Sequence, residues 1–220
     1  MRRIAVCLAI VPLILCGSWV LCYHWQSQPQ TIMLDGVAWN QIMHWDFADG
    51  LYPDAWGLGD WRTIDGELEG RESEGAFSIY FFPFTHRGQF ILEAKFRFVE
   101  ELDGDVEVQL LTRDSNEINF ESGMVLFAEK KEVTVRHMAN GIDYVYRPFS
   151  TSLSIDYGKW YVMRFMVCNG TVRAFVNESE VYCSNKSYPV GEYHEPHLAV
   201  RNAIARFEYV KILVPSSSQP

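Results

Sequence analysis

The sequence predicts an all-β fold, an antiparallel β-sandwich or jelly roll, preceded by an N-terminal hydrophobic helix. Three observations carry this. Between Trp39 and Val214 short apolar runs alternate with polar residues, and no stretch shows the 3.6-residue period of an amphipathic helix. Three of the Asp-Gly and Asn-Gly pairs (65–66, 140–141, 169–170) fix hairpins between such runs, where a two-residue turn needs positive φ at both central positions. Aromatic residues reach 15% and apolar residues 48%, enough for a large core in one domain and too much for a disordered chain.

Arg2 and Arg3 open the chain and precede residues 4–23, which carry no charge; the next charged side chain is Asp35. Basic residues ahead of an apolar run predict export of the downstream chain. Two readings stand side by side. A cleaved signal peptide would use Ile4–Leu15 as its core, with Gly17 and Ser18 near the cut. An uncleaved membrane anchor would use all of residues 4–23, just long enough to span a bilayer. Pro12 weakens a straight helix, and no Ala-x-Ala site is present. Leu15 and Leu21 precede Cys16 and Cys22, where a lipoprotein signal needs a small residue. Either way the expected domain lies outside the cytoplasm. Residues 24–42 are expected to form a tether, residues 43–214 the sandwich, and residues 215–220 a polar tail.

The chain holds 28 acidic and 19 basic residues, a net charge of −9, and the leader removes only bases. Such a surface is a poor partner for nucleic acid and anionic headgroups and is compatible with neutral ligands such as sugars, without pointing to them.

Strands are expected at "FSIYFF", "GQFILEAKFRFV", "DVEVQLLTR", "GMVLFA", "EVTVRHM", "DYVYRP", "WYVMRFMV", "TVRAFVN", "EVYCS", "HLAVR" and "ARFEYVKILV". The turns set the pairings. Around Asp65-Gly66, Trp61 falls opposite Gly70, Arg62 opposite Glu69 and Thr63 opposite Leu68. Alternation then puts Trp61, Thr63, Leu68 and Gly70 on a buried face and the Arg62–Glu69 pair on the other. Around Asn169-Gly170, Tyr161, Met163, Phe165, Val167, Val172, Ala174 and Val176 share an apolar face. Arg164, Met166, Cys168, Thr171, Arg173 and Phe175 share the opposite one. Asn140-Gly141 sets Val135 against Tyr146 and His137 against Tyr144.

Of five cysteines only Cys168 and Cys183 lie beyond the leader. A two- or four-residue loop within Asn177–Glu180 puts Cys183 opposite Ala174, facing away from Cys168. A three-residue loop aligns the faces but leaves the thiols ~13 Å out of step. A disulfide needs a Cα separation of ~5.5–6 Å, so two free thiols are expected.

Chemistry has few footholds. "DGDVEVQLL" places Asp105, Glu107 and Gln109 on one strand face, with i and i+2 spaced as paired carboxylates of a glycosidase require. The same alternation describes any half-buried strand. His194 and His197 lack the helical spacing or companion cysteines of a metal site. Asp103 and Asp105 lack the glycine and terminal glutamate of a calcium loop. No fingerprint for a cofactor, phosphate or nucleophile is present. Trp56, Tyr52, Tyr80 and Phe82 are candidate sugar-stacking rings, as well as ordinary core residues. Asn169, Asn177 and Asn185 head glycosylation sequons, all at predicted turns or strand ends.

The stretch "WDFADGLYPDAWGLGDWRTIDGELEG" resembles the N-terminal signature of concanavalin A-like lectin/glucanase jelly rolls, of the bacterial 3-keto-disaccharide hydrolase and laminin-G-like type. The likeness continues through "GQFILEAKFRFVEE" and "GKWYVMRFMVCNGTVRAFVN" to "PHLAVRNAIARFEYVKILV", covering roughly residues 43–214. It implies a concanavalin A-like sandwich that recognises or cleaves carbohydrate. Family 16 glycosidases of this architecture carry Glu-x-Asp-x-Glu on a strand. The nearest match here, Asp105-x-Glu107-x-Gln109, changes all three positions. The expected function is therefore carbohydrate recognition at the cell envelope. Glu107, Gln109, Arg164 and Arg173 are the expected polar contacts, and Trp56 and Tyr80 the stacking rings. The alternatives are a hydrolase using Asp105 and Glu107, and a non-catalytic interaction module.

Overall fold

The computed structural model describes residues 30–113, 121–130, 132–139, 142–150, 155–184 and 193–216, with backbone alone at 121, 137–139, 142–150 and 193–194. In chain order the strands are β1 (Thr31–Leu34), β2 (Val37–Trp45), β3 (Trp56–Leu58), β4 (Asp60–Ile64), β5 (Glu67–Glu72), β6 (Ser78–Phe81), β7 (His86–Arg87), β8 (Phe90–Glu101) and β9 (Glu107–Arg113). They continue with β10 (Glu121–Phe127), β11 (Glu132–Ala139), β12 (Ile142–Ser150), β13 (Tyr161–Cys168), β14 (Thr171–Val176), β15 (Ser179–Cys183), β16 (Tyr193–Arg201) and β17 (Ala203–Pro215). Among the described residues no helix is long and apolar enough to cross a membrane, and the expected leader, residues 1–23, lies outside them.

Two antiparallel sheets form the sandwich. The first runs β1-β2-β17-β8-β13-β14-β15, and the second β12-β11-β10-β9-β16-β6-β3. The long strand β17 lies along β8 on one side and meets β5 and then β2, end to end, on the other. Strand β4 joins by its hairpin to β5, and β7 caps the start of β16.

The core lies between the sheets. Phe90, Leu92, Ala94, Phe96 and Phe98 of β8 face Val108 and Leu110 of β9, Met124 and Leu126 of β10, and Leu198 and Val200 of β16 in one buried cluster. Alternation places them there, since every second residue of a strand shares a face. The β13–β14 register and its seven core-facing residues are those expected. So is the β11–β12 register, with Val135 opposite Tyr146 and His137 opposite Tyr144. In the β4–β5 hairpin Asp65 and Gly66 both have positive φ, 54° and 78°, and Trp61 lies opposite Gly70. A side chain on Gly70 would meet Trp61 at 2.5 Å, so the glycine makes room for the indole. Thr63 departs from the expected pattern: it is exposed, because β4 is an edge strand overhanging the core.

Two expectations need correction. Residues 31–42, expected within the tether, are strand: β1 and β2 extend the first sheet. Their turn, Asp35-Gly36, reaches across the sheet's outer face to form an ion pair with Arg173 on β14. Beneath the hairpin Trp39, Ile91, Met166, Phe175 and Leu213 form a second buried cluster. Residues 31–34, Thr-Ile-Met-Leu, are a short run without polar alternation and do not announce a strand. Cys183 also lies opposite Arg173 instead of Ala174, because the turn is Asn177-Glu178 and a bulge follows it. Cys168 and Cys183 are free thiols, two strands apart and roughly 12 Å between Cα positions.

Candidate functional site

The outer face of the second sheet gathers the chemistry. Reading across strands in register, one row is Trp56, Phe81, His197, Leu111, Gly123 and Arg136. The next is Leu58, Ile79, Ala199, Gln109, Val125 and Thr134. Two cross-strand ion pairs bracket these rows. Arg113 of β9 meets Glu195 of β16 at 2.8 Å, and Glu107 of β9 meets Arg201 of β16 at 3.1 Å, with the charges reversed. Six residues separate Arg113 from Glu107, so the strip between the pairs is ~20 Å long.

At one corner stands an aromatic platform. Trp56 is stacked on Phe81 with ring centres 4.0 Å apart and planes within 16°, yet it remains 46% exposed. Phe81 is itself buried and packs on the His197 ring at 5.0 Å. The Arg113 guanidinium lies 4.5 Å from the Phe81 ring centre and 5.6 Å from that of Trp56, held there by Glu195. An edge strand explains the exposure: β3 has β6 on one side only, so no neighbour covers the indole.

Glu107 and Gln109 occupy the same face as Trp56 but are 4% and 3% exposed. Gln109 Nε2 donates to Glu107 Oε2 at 2.8 Å, and Arg201 donates to the other carboxylate oxygen. Arg201 is fixed in turn by the Gly75 carbonyl and by the face of Phe77. Asp105 lies apart from this group. It precedes β9, is exposed, and accepts from Lys130 at 2.9 Å. The expected carboxylate pair is thus divided between two different cations.

Three expected contacts lie elsewhere. Tyr80 is buried at 2% on the core side of β6; its hydroxyl accepts from the Tyr52 amide, and burial pushes its pKa up. Arg164 and Arg173 are on the outer face of the first sheet. Arg164 is bound by buried Glu93 at 2.6 Å, and Arg173 by Glu180 and the β1–β2 turn. Phe82 is core and Tyr52 packs at its margin against Trp45. His197 is buried beside the platform, whereas the His194 side chain and Asn185 lie outside the described residues. Asn169 is exposed at its turn, and Asn177 accepts the Val162 amide. Among the described residues no group of three or more His, Cys, Asp or Glu is placed to hold a metal, and Asp103 is simply exposed.

Sequence reasoning did not find Phe81, Arg113, Glu195 and Arg201. The alternation from Glu107 through Gln109 places Arg113 on the same face, but Glu195 and Arg201 depend on a pairing of β9 with β16 that no local signal announces.

These two sheets make a concanavalin A-like jelly-roll fold, the fold of known lectins and glucanases. Within it the chain is similar to an endo-β-1,3-glucanase from Pyrococcus furiosus (TM-score 0.67, 12% identity, covering 86% of this chain and 100% of that one). It is also similar to the carbohydrate-binding module CBM66 from Bacillus subtilis (TM-score 0.58, 21% identity, covering 71% and 92%). A third similar structure is a Bacillus subtilis protein with a galectin-like fold (TM-score 0.59, 13% identity, covering 80% and 97%). At these identities the likeness is one of fold. No protein-family model and no curated protein matches the chain.

Proposed function

We propose that this is an exported carbohydrate-recognition domain whose ligand lies along the outer face of the second sheet and stacks on Trp56. The observation that carries the reading is the platform itself: a large indole, nearly half exposed, yet held flat by Phe81 and bordered by Arg113. Sugar rings present CH groups that pack on such a face, and a ring already fixed loses little freedom on binding. Arg113, Glu195 and Arg201 supply partly exposed polar groups along the same strip. Similar structures that are carbohydrate-binding modules and glucanases support the reading. The narrower kinship with 3-keto-disaccharide hydrolase and laminin-G-like domains rests on the sequence signature between Trp45 and Gly70. Export rests on Arg2, Arg3 and the uncharged run after them, which would hold or deliver the domain at the cell envelope.

Isothermal titration against soluble β-1,3-glucan, cello-oligosaccharides and xylan, paired with a reducing-sugar assay, tests this. Trp56→Ala should weaken binding about tenfold or more while leaving the fold intact. Turnover that Glu107→Gln abolishes would replace recognition by hydrolysis, and wild-type protein that retains none of these glycans at millimolar concentration would sink the reading.

A further inference from the structure

Beside the platform, a pocket opens between the edges of the two sheets. Ile42, Met43, His44 and Trp45 of β2 form one wall, residues 52–54 of the connection to β3 form another, and Pro83 beyond β6 closes it. Its volume is about 450 Å³, inside the ~300–1,000 Å³ range of small-ligand sites. Trp45 and Tyr52 meet edge to face at 5.0 Å and with Pro53 supply the apolar part of a lining that is polar in equal measure.

One charged group stands on that lining without a counterion. Asp54 is exposed at the mouth; among the described residues its carboxylate has no hydrogen bond and no ion pair, and its backbone is held at φ 58°. Residues 46–54 contain three aspartates and neither lysine nor arginine. Of these, Asp46 already caps the Ala48 amide. The other titratable lining residue is His44. Partial burial, and then the Lys211 ammonium, hold its pKa below the ordinary value against Asp46 and Glu93, which keeps it uncharged at neutral pH. Lys211 is itself occupied by Glu93 and by the face of Tyr209. The pocket therefore combines aromatic walls with one unmatched negative charge. That pairing selects a cation, which gains from both the ring faces and the carboxylate.

Position says which cation. Asp54 lies two residues before Trp56, and Pro83 two residues after Phe81, so the pocket mouth starts within ~7 Å of the platform. A saccharide stacked on Trp56 carries its neighbouring unit to that mouth. We propose that the pocket receives the ammonium group of an amino sugar, and that the domain prefers glycans bearing free hexosamine over their acetylated or neutral counterparts. The proposal rests on the carbohydrate reading above and adds the ligand's charge to it.

Titration calorimetry of the full chain with β-1,4-linked glucosamine oligomers and with the same oligomers fully N-acetylated tests it. The free amine should bind roughly tenfold tighter, as an ion pair with a ring contact allows, and raised salt should shrink the difference. Asp54→Asn keeps a residue type that tolerates positive φ. It should erase the preference while leaving the acetylated oligomer's affinity unchanged, and Trp56→Ala should weaken both ligands. Equal affinities in the wild type, or a preference that survives Asp54→Asn, would overturn the proposal. In the first case, measurable binding of both oligomers, or of the neutral glycans named above, leaves the carbohydrate reading standing; binding of none of these removes the two together.

Discussion

Gly70→Ala is the sharpest test of how the sandwich is closed at its edge. The added Cβ would lie 2.5 Å from Trp61 Cζ3, 2.6 Å from Cη2 and 3.0 Å from Cε3, whereas carbon atoms settle ~3.5–4.0 Å apart. The ring would have to retreat by about 1 Å. Retreat toward the protein is blocked, and retreat toward solvent breaks its contacts. Trp61 Nε1 donates to the Leu58 carbonyl at 3.1 Å, its ring packs 5.4 Å from Tyr80 and 6.1 Å from Phe207, and Gly57 already approaches its far side. Overpacking of this kind costs ~1–3 kcal/mol, and a strained indole hydrogen bond adds up to ~1 kcal/mol. Replacing glycine returns ~0.5–1 kcal/mol through the unfolded chain.

The expected net loss is about 2 kcal/mol. For a domain of this size that lowers Tm by roughly 4–8 °C, and in urea it should shift the midpoint without changing the slope. The decisive assay is the cycle with Trp61→Phe, whose smaller ring vacates the space the new methyl needs. Gly70→Ala should cost about 1 kcal/mol less in that background. If its cost is the same in both backgrounds, or if the single variant is stabilised, the indole is not what excludes a side chain there.

The charges give three further outcomes. Burial pushes the Glu69 carboxyl up, but hydrogen bonds from Arg62 and Arg206 outweigh it and hold the pKa below its ordinary value. Its contribution is therefore complete above the unfolded pKa near 4.5 and lost as pH falls through the lower folded value; Glu69→Gln should flatten that acid limb in pH-dependent denaturation. Asp35→Ala removes an exposed ion pair worth at most ~1 kcal/mol. Tm should barely move, while amide exchange across residues 31–39 speeds up as the hairpin lifts from Arg173. Gln109→Glu sets a second carboxylate beside buried Glu107, where two like charges cannot both ionise cheaply. The variant should lose roughly 1–3 kcal/mol at neutral pH and regain it on acidification; a pH-independent loss would refute the contact.

Hairpin registers were legible because a two-residue turn fixes them locally. Asp65-Gly66 places Trp61 over Gly70, and Asn169-Gly170 places Met163 opposite Val176, with no knowledge of the rest of the chain. Strand faces were legible only where polar residues alternate. In "FSIYFF" residues 79–82 are all apolar, so the period that should separate Tyr80, inside, from Phe81, outside, is silent. Arg164 and Arg173 were correctly placed on an outer face. Which of two sheets owned that face depends on β13 pairing with β8, across some seventy residues of chain. The β1–β2 hairpin carries the same local signal, Asp35-Gly36 with Leu34 opposite Val37, and only its anchor at Arg173, 138 residues away, lies beyond local reading. The Arg113–Glu195 pair that steadies the platform spans 82 residues.

The same distinction separates recognition from hydrolysis. Spacing alone allowed an enzyme, because i and i+2 on a strand lie ~6.8 Å apart, within reach of an inverting pair. Catalysis also needs one carboxyl free to give a proton and another free to take one, both facing the bond between them. Here Glu107 has each oxygen occupied, one by Gln109 and one by Arg201, under a nearly closed surface. Asp105 is turned to Lys130 at the strand's entrance. A substrate would have to displace two hydrogen bonds, one of them from a guanidinium, to reach the first acid, and Asp105 would still be paired elsewhere. The proposed recognition instead uses the partly exposed groups of this face, an indole, two arginines and a glutamate, each fixed by a partner before anything arrives.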